Sequence, residues 1–431
     1  MRLLFVHQHL GALGGAEGNV YLTANELKQR GHVVGLLYER NTGRSEEQWK
    51  ETFSERFRLP GNANAAATRT FVEDFAPDVV WLHNLGDLDV IEALLGGPAP
   101  VVRTVHDHAM YCMRAYKYNY FTRNVCTRPA SLYCVVPCLA PIGRSQDGPL
   151  PLKWVSYTAK RHEIDLNQRC QRLLVFSDYV KEELLRNGFD AGKIDVQAPL
   201  MGFRGAAGQV GVQTSVWSDG QIPSDKLTLE LQPTPAPSAR RNLILWAGQI
   251  IRGKGLDLFL RALAKVKTQF ECIILGEGSH RTYCEWLCSR LGLSKAVQFR
   301  GFVAHEEMDH YYREASVFAV SSVWPEPFGL SGPEAMRYGL PVVAFDAGAV
   351  SEWLTNGEDG FLVPWMDVDS FAARLEDLLG NPQMARAMGA RAQERVSRQF
   401  NRAQALDRLE GLLLRVARET QGEAVPAALA G

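Results

Sequence analysis

Two open parallel α/β sheets in tandem are what this sequence predicts, and three observations predict them. Short apolar runs alternate with amphipathic, helix-like stretches from the first residue; a Gly-, Pro- and Ser-rich segment interrupts the alternation near the middle; and the alternation then restarts. Parallel strands need a connection long enough to hold a helix, so strand and helix in alternation imply a parallel sheet with right-handed crossovers. At 431 residues the chain is also too long for one ordinary core, which favours two such units.

In the first unit, residues 1–203, the apolar runs fall at 3–6, 33–37, 79–82, 101–105 and 173–176. Each is continuously apolar, as a strand covered on both faces must be. Residues 17–29 carry a helical pattern that ends at Arg30-Gly31, a basic last turn followed by a glycine stop. Residues 204–240 end in Gln232-Pro233-Thr234-Pro235-Ala236-Pro237 and read as a linker or an excursion. The second unit, 241–400, has runs at 243–246, 272–275, 297–302, 317–320, 342–345 and 361–363, with helical patterns at 370–379 and 384–398. Residues 401–431 read as a C-terminal helix, patterned over 402–419, that packs back on the first unit and frays at 424–431.

Hydrophobic content of 46%, charged content of 22% and a formal charge of -1 are those of a globular protein, with no global reason to expect a nucleic-acid partner. No apolar run reaches 18 residues, and Met1-Arg2-Leu3-Leu4-Phe5-Val6-His7 has too short an apolar core for a signal peptide, so a cytoplasmic address is expected. Eight cysteines without an export signal then read as thiols or metal ligands rather than as disulfides.

Ligands of open α/β sheets bind beyond the C-terminal ends of the strands, so the cleft between the two units is the expected site. Gly11-Ala12-Leu13-Gly14-Gly15-Ala16-Glu17 follows the first strand and opens a helix, a place where backbone N–H groups can approach an anion. Its spacing is not GxGxxG, which disfavours a dinucleotide. The second unit repeats the arrangement in Ala247-Gly248-Gln249-Ile250-Ile251-Arg252-Gly253-Lys254-Gly255, where Arg252 and Lys254 suit a diphosphate. His106 ends the strand 101–105 and so faces the cleft. In Pro325-Glu326-Pro327-Phe328-Gly329-Leu330-Ser331-Gly332-Pro333-Glu334, Pro and Gly hold a loop open until Pro333, suited to the first helical position. Two carboxylates, Glu326 on the loop and Glu334 in the first helical turn, would then face one acceptor-rich ligand such as a sugar nucleotide. A solvated basic turn and a structural histidine are the plainer readings of the Arg252–Lys254 turn and of His106 in isolation.

In order along the chain, Gly14-Gly15-Ala16-Glu17, Arg30-Gly31-His32-Val33, Thr104-Val105-His106-Asp107, Ser177-Asp178-Tyr179-Val180, Lys254-Gly255, Gly276-Glu277-Gly278, Gly301-Phe302, the stretch 326–336 and Gly339-Leu340-Pro341-Val342-Val343-Ala344 resemble the family 4 glycosyltransferases. The resemblance covers nearly the whole chain. It implies the GT-B fold, two Rossmann-like α/β domains facing across a cleft, and retaining transfer of a sugar from a nucleotide-diphosphate sugar to a saccharide, lipid-linked or small-molecule hydroxyl. It implies that Glu326 and His106 contact the donor sugar and that Lys254 neutralises the diphosphate, with Gly15 covering it. Backbone N–H groups around Phe328, Gly329 and Leu330 would hold the sugar, Glu334 the ribose, and the loop at Val303 would face the base. Gln249 stands where the family usually has an arginine, and Arg252 is the available replacement. No catalytic metal is required, because cations and helix N-termini can carry the diphosphate charge. A nucleotide-sugar epimerase of the same fold, or a non-catalytic saccharide-binding derivative, are the alternatives.

Cys112, Cys126, Cys134 and Cys138 fall within 27 residues, and four thiolates could hold a structural zinc; reduced spectator thiols are the main alternative. The surrounding insertion, 109–162, holds eight basic residues and one acid, a balance of +7, interleaved with aromatics. That composition suits peripheral contact with an anionic membrane surface or a phosphate-bearing lipid acceptor, and equally a solvated loop.

Overall fold

A computed structural model describes residues 1–12, 14–119, 122–144, 152–201, 242–303 and 307–422. The expected linker, 204–240, and the terminal stretch 424–431 lie outside the described residues. The first sheet comprises β1 (Arg2–Leu10), β2 (Val33–Asn41), β3 (Glu55–Arg58), β4 (Val79–Leu82) and β5 (Val101–Val105). A separate antiparallel hairpin, β6 (Ile142–Arg144) and β7 (Leu152–Trp154), interrupts the sequence before β8 (Arg172–Val175) and β9 (Ile194–Val196) complete the sheet. Its order is β3-β2-β1-β4-β5-β8-β9, parallel throughout.

The second sheet comprises β10 (Leu243–Ala247), β11 (Glu271–Leu275), β12 (Val297–Gly301), β13 (Val317–Val320), β14 (Val342–Phe345) and β15 (Gly360–Val363). It is parallel in the order β12-β11-β10-β13-β14-β15. Strand order reverses beside β1 in one sheet and beside β10 in the other, so both Gly-containing turns sit at the switch points where such sheets bind ligands. This is the two-domain GT-B architecture.

Three local differences from the sequence reading have physical causes. The edge strands β3 and β9 escape an apolar-run criterion, because β3 is mostly exposed Glu and Arg and β9 spans only three residues. Hydrogen bonding carries β1 past Val6 to Leu10, which brings His7 and His9 into the sheet. The helix Ser331–Arg337 begins two residues before Pro333. A proline at its third position breaks no helical hydrogen bond, since the first four N–H groups of a helix have no partner within it.

The helix Arg402–Gln421 follows the second domain in sequence but lies on the first sheet, where Leu406, Leu409, Leu413 and Val416 join the buried cluster of Leu3, Phe5, Leu27 and Trp81. Its polar edge pairs Glu410 with Arg30 at 2.5 Å and with His32 at 2.8 Å, and Arg402 with Glu26. Partly exposed pairs of this kind contribute about 0–1 kcal/mol each, against about 1.5–3 kcal/mol for each buried leucine, so apolar burial holds the strap. Replacement Leu413→Ala is therefore expected to cost about 2–5 kcal/mol, read by urea unfolding. A loss under about 1 kcal/mol would mean that Leu413 is not packed as described.

Candidate active site

The two domains meet around the loop that carries Glu326. Its backbone carbonyls are held by the first domain: the His108 ring nitrogen Nε2 lies 2.7 Å from the Pro325 oxygen, and Ser177 Oγ donates to the Pro327 oxygen. Ser177 is also the N-cap of the helix Asp178–Arg186, accepting from the Val180 N–H at 3.2 Å. The first N–H groups of that helix, on Asp178 and Tyr179, donate to the Glu352 carboxylate of the second domain at 2.9 and 2.7 Å. A further contact joins buried Arg123 to both oxygens of Asp257 at 3.0 and 2.9 Å.

Glu326 is only 3% exposed. Lys254 Nζ donates to its Oε1 at 2.6 Å, and Ser322 Oγ donates to the same oxygen. Burial pushes the carboxyl up, but the Lys254 charge and these hydrogen bonds outweigh it and hold the group below the usual glutamate value. Lys254 is placed by a single tight turn, Arg252–Lys254, that ends at Gly255 with φ 64°. A Cβ on Gly255 would lie 2.0 Å from the Ser321 carbonyl oxygen, so only glycine allows this turn to reach the Glu326 loop. The Lys254 ammonium also sits 5.0 Å from the Trp324 ring centre.

Beyond Glu326 the loop is anchored from behind. Trp353 Nε1 donates to the Phe328 oxygen at 2.6 Å, and the Phe328 ring is buried against Phe400. The N–H groups of Phe328, Gly329 and Leu330 have no hydrogen-bond partner among the described residues. Gly329 has φ 84°, the left-handed conformation that turns this backbone into the helix Ser331–Arg337. Glu334, half-buried on that helix, accepts from the Tyr312 hydroxyl at 3.2 Å.

Across the cleft lies the glycine turn after β1. A Cβ on Gly15 would stand 3.1 Å from Leu330 Cδ1, and one on Gly14 would stand 3.7 Å from Gln249 Nε2. The cleft thus brings Gly15, Leu330, Gln249, Lys254 and Glu326 to one region, drawn from both domains. Gln249 is exposed there, while Arg252 is half-buried near His280. Val303 is half-buried, and the next residues, 304–306, lie outside the described ones.

His106 follows β5, and its Nε2 lies 2.9 Å from His83 Nδ1. His83 itself follows β4, and His7 ends the apolar run of β1, so three adjacent strands each deliver a histidine to the cleft edge. Burial lowers all three: His7 downward, His83 well below its ordinary value, and His106 to about 3, helped by the charge of its neighbours. These imidazoles are therefore neutral near pH 7. Sequence reading found His106 and passed over His7 and His83, although each of the three directly follows an apolar run. It also passed over Glu17, whose carboxylate accepts from the Gly14 N–H at 3.0 Å and faces His9 at 3.4 Å. Among the described residues, His7, His9 and Glu17 are the one group whose ligand atoms lie within 4.8 Å of one another, a donor set of the kind taken by first-row divalent ions.

The cysteines of the insertion are free and half-buried. Burial, then the nearby Cys112, Cys138 and Cys126, push the Cys134 thiol up, so the four approach one another without reaching that spacing. Part of the basic excess of the insertion is answered from outside its own sequence. Lys117, 2% exposed, pairs with Glu183 at 2.7 Å; Arg123 pairs with Asp257; and Lys160 pairs with Glu163 at 2.5 Å. Its apolar side chains are another matter, for Leu132, Val136, Leu139 and Trp154 stand 53% to 75% exposed.

Two family models match the chain: Glycosyltransferase Family 4 over residues 13–199 and Glycosyl transferases group 1 over residues 230–395. The chain is 29% identical over 158 residues to a GDP-mannose-dependent alpha-(1-6)-phosphatidylinositol monomannoside mannosyltransferase of Mycolicibacterium smegmatis, covering 35% of this chain and 41% of that protein. It is 28% identical over 246 residues to a D-inositol 3-phosphate glycosyltransferase of Streptomyces avermitilis, covering 53% and 49%. The matched part thus spans less than half the length of these curated relatives. Among solved structures, HepE of Anabaena in complex with UDP and glucose superposes with a TM-score of 0.68 at 19% identity, over 96% of this chain and 100% of that one, a likeness of fold.

The histidines give a testable consequence. A histidine whose folded pKa lies below its unfolded value of about 6.5 destabilises the fold as pH falls through 6.5, because the unfolded chain then binds more protons. Melting temperature is expected to fall between pH 7 and 5, and less so in His106→Gln. An unchanged pH dependence in that variant would sink the assignment of His106 as a buried neutral imidazole.

Proposed function

We propose that this chain, which belongs to the glycosyltransferases of the family 4 type, moves a sugar from a nucleotide-diphosphate sugar to an acceptor hydroxyl with retention of anomeric configuration. The observation that carries the reading is the Lys254–Glu326 pair, its carboxylate buried, set in the cleft between the glycine turn of one domain and, in the other, the loop whose N–H groups have no partner among the described residues. Lys254 has two N–H donors beyond the one given to Glu326, and with Arg252 it would take the diphosphate charge. Gln249 offers an amide rather than a charge opposite Gly14, so more of that burden falls on those two residues. A relative named for GDP-mannose and a fold neighbour solved with UDP support a nucleotide sugar as donor, and Glu334 and Val303 are the proposed contacts to its ribose and base.

Retention is supported by what Glu326 is doing. A carboxylate whose Oε1 is held by both Lys254 and Ser322, deep in the domain, is arranged to grip a sugar hydroxyl with its other oxygen rather than to form a covalent intermediate. The acceptor hydroxyl would instead approach on the leaving-group side, with the departing phosphate taking its proton while an oxocarbenium-like state passes. His106, neutral and hydrogen-bonded to His83, would donate or accept a hydrogen bond at the sugar without adding charge. No catalytic metal enters this scheme. The acceptor is a saccharide, lipid-linked or small-molecule alcohol, and the exposed Leu132, Val136, Leu139 and Trp154 favour peripheral membrane contact for the insertion.

Nucleotide release is the direct test. With UDP-, GDP-, ADP- and TDP-sugars, the protein should release nucleotide from at least one donor, and Lys254→Ala should cut the rate by about 100-fold or more, the scale of a lost transition-state donor. Absence of both nucleotide release and thermal stabilisation with every donor would refute transfer. The cysteines are proposed to close on a structural zinc. Metal analysis should then find close to one zinc per chain, lost on Cys134→Ser, and metal-free folded protein would rule the zinc out.

A further inference from the structure

β5 is a central strand, paired on both sides, and four of its five residues are accounted for by burial: Val101, Val102 and Val105 are apolar, and Thr104 accepts from Trp81 Nε1 at 2.8 Å. Arg103 is the exception. It is 5% exposed, and its Nε and Nη1 are buried without a hydrogen-bond partner. An arginine keeps its proton at any physiological pH, so a full positive charge sits here with unused donors. Leaving such a group unpaired is costly unless something supplies the missing acceptors.

The side chain lines a cavity of about 260 Å³ shared with Gln8, Asn84, His106, Asp107 and Lys160. The neighbouring acids are otherwise engaged. Glu163 is held by Lys160 at 2.5 Å and Asp107 Oδ1 accepts from the Ala109 N–H at 2.7 Å; both acids favour the charged form of Arg103 through space, and neither accepts a hydrogen bond from its buried Nε or Nη1. What is left unmet in the cavity, among the described residues, is the pair of Arg103 donors, Nε and Nη1. A planar guanidinium presents its N–H groups as a fork that fits a phosphate oxyanion with two parallel hydrogen bonds.

We propose that the Arg103 cavity seats a phosphate group carried by the acceptor, so that the protein selects phosphorylated acceptors over neutral ones. This rests on the transferase reading above, because sharing the cavity with His106 is what puts the anion beside the reacting sugar. The donor diphosphate is answered separately, by Lys254 on the opposite domain. Two of the basic residues of the insertion, Lys117 and Arg123, do not compete for this role, since they are consumed by Glu183 and Asp257.

The test uses the full chain and inorganic phosphate, titrated at constant ionic strength and read by thermal shift and calorimetry. Wild type should bind; Arg103→Met, which keeps the length and removes the charge, should bind at least about tenfold more weakly, the loss of a single charge-assisted hydrogen bond or more. Arg103→Lys, which restores the charge without the fork, should recover part of the affinity. No binding by wild type, or equal binding by wild type and Arg103→Met, overturns the proposal. Sedimentation with vesicles of equal parts phosphatidic acid and phosphatidylcholine separates the two sources of phosphate. Arg103-dependent co-sedimentation points to a lipid headgroup, whereas Arg103-dependent binding of inorganic phosphate alone points to a soluble phosphorylated acceptor. UDP and GDP are titrated in parallel: absence of nucleotide binding would defeat the transferase reading while leaving the phosphate result to stand or fall by itself.

Discussion

The cleft depends on the short loop from Pro325 to Gly329, which belongs to the second domain but is held from three directions. His108 and Ser177 of the first domain take two of its carbonyls, Trp353 takes a third from below, and Lys254 takes the Glu326 carboxylate. A carboxylate at 3% exposure is tolerated only because it is paired and hydrogen-bonded. Remove the cation and the loop would carry an unmatched buried charge at the point where the domains touch. The position of Gly15 against Leu330, the register of Gln249 against Gly14 and the orientation of the free N–H groups all follow from that loop being fixed.

Glycine has a specific part in this. The turn that delivers Lys254 closes at Gly255 against the Ser321 carbonyl, and the bend that pairs with Glu326 passes through Gly348, where a Cβ would lie 2.4 Å from the Glu326 backbone. Both positions have positive φ and backbone, not side chain, as the neighbour that would be struck. Close approach of three backbone segments lets a lysine from one loop reach a glutamate 72 positions later.

Much of the fold was legible. Parallel strands covered on both faces leave continuous apolar runs, and eleven of the thirteen strands of the two sheets announced themselves that way; β3 and β9, at the edges of the first sheet, did not, because an edge strand buries less and can be short or charged. Part of the candidate site was legible for a similar reason, since glycine turns and a polar residue at a strand end mark the cleft edge. His7, His83 and Arg103 were missed because their meaning depends on neighbours from other strands. A histidine inside an apolar run looks structural until two more stand beside it, and an arginine in a buried strand looks like noise until its donors are seen to lack acceptors. In the insertion a charge count along the sequence could not say which cations stay at the surface: Lys117 and Arg123 are buried against acids 66 and 134 positions away.

By itself the sequence determined two parallel α/β units, the strand-end turns that face a cleft, and the order of motifs that mark the family. Those features are local: apolar periodicity, glycine and proline placement, and residue type at a strand end are set within a few residues. Only the tertiary structure decided which charges meet. Glu326 with Lys254, Lys117 with Glu183, Arg123 with Asp257, and Arg103 with two donors that find no acceptor among the described residues are outcomes of chain crossings. Electrostatic partnership depends on distance and burial, and neither is written in the spacing of residues along the chain.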